Sequence, residues 1–117
     1  MPHVVTRKGD TSPEKITCGI MRGLVKSKDF DKLDIAHIKI TKTTKKHYHN
    51  KLTEFYYILK GILNVNIDGN IENLKEGDII MISPGTIHEA HSKQGAEILV
   101  ICSPQWTEED EILVDEK

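Results

Sequence analysis

Lys46-His47-Tyr48-His49-Asn50-Lys51-Leu52-Thr53-Glu54-Phe55-Tyr56-Tyr57-Ile58-Leu59-Lys60-Gly61 is the stretch around which this 117-residue chain is organised. Side chains of an extended strand alternate faces with period two, so His47 and His49 point one way and Tyr48 the other. Two imidazoles therefore converge on one small volume. Glu54 opens a segment of aromatic and β-branched residues, Phe55 to Leu59, that has strand composition and ends at Gly61, a residue suited to a sharp bend. A carboxylate thus joins the histidines.

A fourth group lies far along the chain at His88, just after Ser83-Pro84-Gly85-Thr86. Proline presets φ at the first central turn position and glycine accepts φ > 0 at the second, which predicts a type II turn that aims His88 back at the first group. Three neutral imidazole nitrogens and one carboxylate oxygen form a mixed N/O donor set. Such a set suits a borderline divalent first-row metal: iron, manganese, nickel, zinc, cobalt or copper. His47, His49, Glu54 and His88 are the candidate ligands.

These residues also carry a resemblance. The chain resembles a small single-domain cupin: His47, His49, Glu54 and Gly61 match the first motif of that family with its spacing, and Gly77, Asp78, Pro84, Gly85 and His88 match the second. It departs from the family at Thr41, where the first motif often opens with glycine, and at Ser83 and Ser92, where the second often has proline and asparagine. None of those positions is a metal ligand in the family. Short chains of this kind are similar to proteins described as mannose-6-phosphate-isomerase-like, and the resemblance further implies a homodimer paired through outer sheet faces.

One domain, 1–117, is expected from the length, with a core barrel over about 16–104 and an acidic tail over 105–117. Hydrophobic and charged fractions of 38% and 29% are those of a globular protein. The formal net charge of −2 gives no electrostatic reason to expect nucleic acid. Lys42, Lys45, Lys46 and Lys51 cluster around the histidines, as a solvated loop or as a means of drawing in an anionic ligand. No apolar stretch approaches the ~20 residues of a membrane-spanning helix, and Met1-Pro2-His3-Val4 offers no apolar signal segment, so no membrane partner and a cytoplasmic location are expected. Cys18 and Cys102, each in an apolar segment, are expected to be inert core residues.

Along the chain, Val4 to Ser12 is weakly patterned and offers an edge strand or an arm. Ile16 to Val25 and Leu33 to Thr41 read as two strands separated by Lys26-Ser27-Lys28-Asp29. His37 is taken as a strand residue outside the site. Leu63, Val65 and Ile67 alternate with Asn64 and Asn66, Asp68-Gly69 predicts a type I′ turn, and Asn70 to Leu74 returns as the second arm of a hairpin. The apolar run Ile79 to Ile82 predicts a strand buried on both sides. His88, Ala90 and Ser92 share a face, which places His91 on the other one and away from the metal.

Ala96 to Cys102 is expected to be the last apolar strand of the barrel, with Trp106 packing behind it as a plug. The tail from Glu108 carries six acidic residues against one lysine and is expected to be solvated, while Ile112-Leu113-Val114 within it offers an edge strand or a subunit contact. Many short strands with glycine-rich turns predict an all-β sandwich or barrel. The family resemblance narrows this to the double-stranded β-helix, a jelly-roll barrel with room for one small molecule.

Four protein ligands without cysteine leave positions open on a metal that prefers six, where water, dioxygen or a bidentate substrate can bind. The expectation is a metal-dependent enzyme on a small organic substrate, either a dioxygenase or a sugar or keto-acid isomerase or epimerase. The alternative is a non-catalytic module that binds or senses a small molecule on its metal. Tyr56, Ile58 and Thr86 are the expected cavity-lining residues, and no general acid or base stands out.

Overall fold

The computed structural model describes residues 3–26 and 28–114. Ser27 of the first polar loop and the last three tail positions, Asp115 to Lys117, lie outside the described residues. Eleven strands follow in chain order among the described residues: β1 (Glu14–Ile16), β2 (Gly19–Val25), β3 (Asp34–Ile40), β4 (His47–His49), β5 (Thr53–Gly61), β6 (Leu63–Ile67), β7 (Asn70–Leu74), β8 (Ile79–Ile82), β9 (His88–His91), β10 (Ala96–Ser103) and β11 (Glu111–Leu113). They form a six-stranded sheet in the order β1-β2-β3-β10-β5-β8 and a five-stranded sheet in the order β11-β4-β9-β6-β7. All the pairings are antiparallel. The two sheets make the expected jelly roll.

Alternation in sequence becomes alternation in burial. Along β10, Ala96, Ile98, Val100 and Cys102 are buried while the residues between them are less so, and in β6 Leu63 and Val65 are completely buried. These side chains meet between the sheets with Ile40, Leu52 and Ile58. Burial of that apolar area is the main favourable term for the fold. The predicted turns are present: Asp68 and Gly69 both have positive φ, as a type I′ turn requires, and Gly85 has φ +83 beneath a hydrogen bond from the Thr86 N–H to the Ser83 carbonyl.

Several expectations are corrected. No strand forms between Val4 and Ser12, which holds a short 3-10 turn at Lys8–Asp10 instead. The segment Ile16 to Val25 is not one strand, because Thr17-Cys18 turns the chain between β1 and β2, with Ile16 opposite Gly19. Gly19 permits this: a β-carbon there would sit 1.8 Å from the Lys39 carbonyl oxygen. The strand Ile79–Ile82 is buried on one side only. It is the edge strand of the larger sheet, so Ile82 points into the core while Ile79 and Met81 are 57% and 63% exposed.

The end of the chain differs most. Trp106 is not a core plug; it is 44% exposed at the rim of the interior cavity, its backbone N–H donating to the Asp34 carboxylate. Beyond it the tail does not stay in solvent. Asp110 is buried and Glu111–Leu113 adds an edge strand against β4, the first of the two roles expected of its apolar triplet.

Candidate metal centre

His47 and His49 both point inward from β4, whose burial alternates buried, half-buried, buried across His47, Tyr48 and His49. His88 opens β9 directly opposite His47, delivered there by the Pro84-Gly85 turn, whose Gly85 N–H donates to the His49 carbonyl. These three imidazoles come from the five-stranded sheet. Glu54 comes from the facing sheet, near the start of β5. All four residues are buried, and their donor atoms lie within 4.8 Å of one another. Donors around one first-row ion are separated by roughly 3–4 Å, so a contraction of at most about 1–2 Å brings the cluster to a single coordination sphere.

The outer nitrogens are already committed. His47 Nδ1 lies 2.6 Å from the Lys45 carbonyl and His88 Nδ1 lies 2.9 Å from the Thr86 carbonyl. Each ring therefore donates outward from Nδ1 and presents an unprotonated Nε2 to the centre when neutral, the arrangement that fixes metal-binding tautomers. His49 is different. Both of its ring nitrogens are buried without a hydrogen-bond partner. An orphaned imidazole 3.8 Å from the Glu54 carboxylate is costly in a protein interior, and a cation held by Nε2 removes the part of that cost that falls on the nitrogen facing Glu54.

Electrostatics without the cation point the same way. Burial pushes the Glu54 carboxyl up, yet the hydrogen bond and charge of His88, with His49 and His47, outweigh it and hold the group below the usual carboxylate range. Burial pulls His88 down, but its 2.9 Å contact with Glu54 and its bond to the Thr86 carbonyl leave it raised. Burial dominates at His47, which is lowered. The His88–Glu54 contact thus favours the charged form of each partner over its neutral one.

Tyr56, two residues along β5, donates its hydroxyl to Glu54 Oε1 at 3.0 Å and orients that carboxylate. Burial and the Glu54 charge push its phenol well above the ordinary range, so it stays neutral. Cys102 reaches within 3.9 Å of Glu54 Oε2, and burial followed by the same charge pushes its thiol up; Cys18 is raised by burial as well. Both are free protonated thiols.

A cavity of about 650 Å³ opens on these groups, lined by His47, Glu54 and Tyr56 and walled by apolar residues such as Ile38, Ile98 and Val100. Of the residues expected to line it, Tyr56 does. Ile58 and Thr86 do not: Ile58 is packed in the core, 1% exposed, and Thr86 serves the site through its carbonyl. Among the clustered lysines, Lys45 reaches the cavity. His91 is exposed and paired with Thr43, and His37 is paired with Glu97, each apart from the cluster.

Two residues of the C-terminal segment escaped sequence analysis. Asp110 accepts hydrogen bonds from the backbone N–H groups of Asn50, Lys51 and Leu52, fixing the loop between His49 and Glu54. Glu111 lines the cavity and its Oε1 stands 3.9 Å from His47 Nε2. Nothing in an acidic run marks which members turn inward. The apolar triplet that follows was the available signal.

Residues 35–102, more than half of the chain and all four candidate ligands, match the Cupin domain family. The chain is a cupin. It is 30% identical over 108 residues to the uncharacterized protein MJ1618 of Methanocaldococcus jannaschii, an alignment covering 91% of this chain and 82% of that one. A protein from Planctomyces limnophilus superposes with a TM-score of 0.84 at 23% identity over 97% of both chains. A variant of Streptomyces Pac13 with uridine superposes with a TM-score of 0.83 at 14% identity, over 97% of this cupin and 92% of that chain. At such identities the structural likeness establishes the fold alone.

Proposed function

We propose that this cupin is a metal-dependent enzyme acting on a small organic molecule held at a divalent first-row ion by His47, His49, Glu54 and His88. The observation that carries the proposal is His49, both of whose ring nitrogens are buried and unpartnered inside a cluster that otherwise satisfies its outer atoms. The cavity supports a small-molecule substrate, since pockets for such ligands measure about 300–1,000 Å³ and this one is about 650 Å³. Pac13, which shares the fold at similar size, is described as a nucleoside dehydratase.

When bound, the ion supplies Lewis-acid polarisation of a substrate oxygen, as an isomerase or epimerase needs, or redox chemistry with dioxygen if it is iron, manganese or copper. The chain supplies the rest. Tyr56 holds Glu54 in orientation, the Lys45 and Thr86 carbonyls hold two of the imidazoles, and the apolar walls limit water around the reacting atoms.

A second reading, a binding or sensing module with the metal as anchor, is favoured by the commitment of the Tyr56 hydroxyl to Glu54 and its resistance to ionisation. Elemental analysis of protein purified without added metals tests the shared premise. One divalent ion per chain is expected, lost for the most part in His49→Ala; undiminished metal in that variant refutes the site. Oxygen-uptake and turnover screens with small chelating acids and sugar phosphates then separate the two readings, because a sensor binds without turnover.

A further inference from the structure

The four donors and Tyr56 leave the proposed enzyme without a group that can take a proton from its substrate. We infer that Glu111 is that group: its carboxylate faces the molecule bound at the metal and accepts a proton from it. This rests on the metal site proposed above. Glu111 lies outside the residues that match the Cupin domain family, on the C-terminal strand that lies along β4.

Four features place it. In the β4–β11 ladder Glu111 stands opposite His49, and directly paired residues of neighbouring strands project to the same face, which here is the cavity face. Its Oε1 lies 3.9 Å from His47 Nε2, the nitrogen left to face the centre once Nδ1 is committed to the Lys45 carbonyl. The Trp106 indole N–H donates to the same oxygen at 3.3 Å and holds the carboxylate from the solvent side. The side chain is 35% exposed, so a proton received from the cavity can pass on to water.

Tyr56 lines the cavity too but has none of this freedom, being 4% exposed with its hydroxyl bonded to Glu54. The step is simple in balance. A substrate O–H bond breaks, its electron pair stays on the substrate oxygen, and the proton bonds to a Glu111 carboxylate oxygen. The preferred substrate therefore presents a hydroxyl or similar proton-bearing donor toward the mouth, and an anion bound close to the same carboxylate is disfavoured.

The test uses cobalt(II) as the metal, with azide as an anionic probe and acetohydroxamic acid as a proton-bearing chelator, each followed by visible absorption. Glu111→Gln keeps the shape and removes the charge. Azide should then bind about five-fold more tightly, because a like charge some 5 Å away in a wet site is gone. Acetohydroxamic acid should bind about five-fold more weakly, because a charged acceptor has become a neutral one. Cobalt content and melting temperature should stay as in the wild type.

A variant that merely loosened the mouth would move both probes in one direction, and that outcome overturns the assignment, as does no change in either. Glu108→Gln removes the same charge from an exposed neighbour; if it reproduces the crossed response, the effect is net charge and the assignment also fails. Wild-type protein that takes up no cobalt removes the metal site and this role together. Cobalt bound with no crossed response removes Glu111 alone.

Discussion

Asp110→Ala is the sharpest test of how the site is held. Asp110 is 7% exposed and accepts three backbone N–H groups, from Asn50 at 3.1 Å, Lys51 at 2.8 Å and Leu52 at 3.1 Å. Hydrogen bonds to a charged acceptor contribute about 1.5–3 kcal/mol each, but Asn50 and Lys51 are exposed and their amides regain water when the carboxylate is removed. Leu52 is 1% exposed, so its N–H is stranded, at a cost of about 1–3 kcal/mol. The net loss should be about 3 kcal/mol, or a fall of about 10–15 °C in Tm for a domain of this size. Asp110→Asn, which retains one acceptor oxygen, should lose about half as much. The loop joins His49 to Glu54, so metal affinity should fall by roughly tenfold as well. Urea unfolding of the metal-free protein measures the first effect and calorimetric metal titration the second. Glu109→Ala, on an exposed neighbour, is the control and should stay within about 0.5 kcal/mol of wild type. If Asp110→Ala does so too, the carboxylate is not the anchor that its geometry indicates.

Truncation after Thr107 removes Asp110 and β11 together and should destabilise the domain at least as much as Asp110→Ala; a truncated chain with wild-type Tm would return the segment to a solvated tail. Gly61→Ala should cost more than about 2 kcal/mol, because φ there is +83 and the new β-carbon would lie 2.5 Å from the Gly95 carbonyl oxygen, whereas Gly9→Ala has open space around it and should be near neutral in the same denaturation series. In the metal-free protein the His88 value is raised, so its contribution is full below the ordinary imidazole range and is lost as pH rises through the raised value. Glu54 is lowered, so its contribution is present above the ordinary carboxylate range and is lost as pH falls through the lowered value. The Tm loss in metal-free His88→Gln should thus be larger in solution more acid than the ordinary imidazole range than in alkaline solution, and a loss independent of pH would contradict the His88–Glu54 pairing.

What was legible in the sequence was what period two and turn chemistry control. Parity put His47 and His49 on one face and excluded His91, and Asp68-Gly69 and Pro84-Gly85 fixed two reversals that bring distant strands together. Parity cannot say whether a neighbouring strand covers the outer face, so the apolar run at Ile79–Ile82 looked doubly buried although β8 is an edge. The turn at Thr17-Cys18 carries none of the usual hairpin residues; its one mark is Gly19, whose need arises from a strand twenty residues away. Asp110 and Glu111 were hidden for a related reason. Their inward positions come from pairing with β4 and not from their own composition, which is that of a solvated run.

The placement of the four candidate ligands bears on whether a metal here is only a staple. Three imidazoles hang from one sheet and the carboxylate from the other, so a shared ion would cross-link the halves of the barrel and add to folding free energy. Without it, the link among these groups is the His88–Glu54 contact, and His49 is left with both nitrogens unsatisfied. Burying three imidazoles and an ionised carboxylate is a poor route to stability, since apolar side chains of similar volume usually do better at such positions. The same barrel shows that it can use them: Ile58, Leu63 and Val65 fill neighbouring interior positions completely. A staple also has no need of a cavity beside it. Here two of the four donors, His47 and Glu54, line about 650 Å³ of space, and a carboxylate from the C-terminal strand, Glu111, lines it with them. A polar cluster that costs the fold stability beside an open cavity is what the proposed small-molecule site requires, and a fold optimised for stability alone would not keep it.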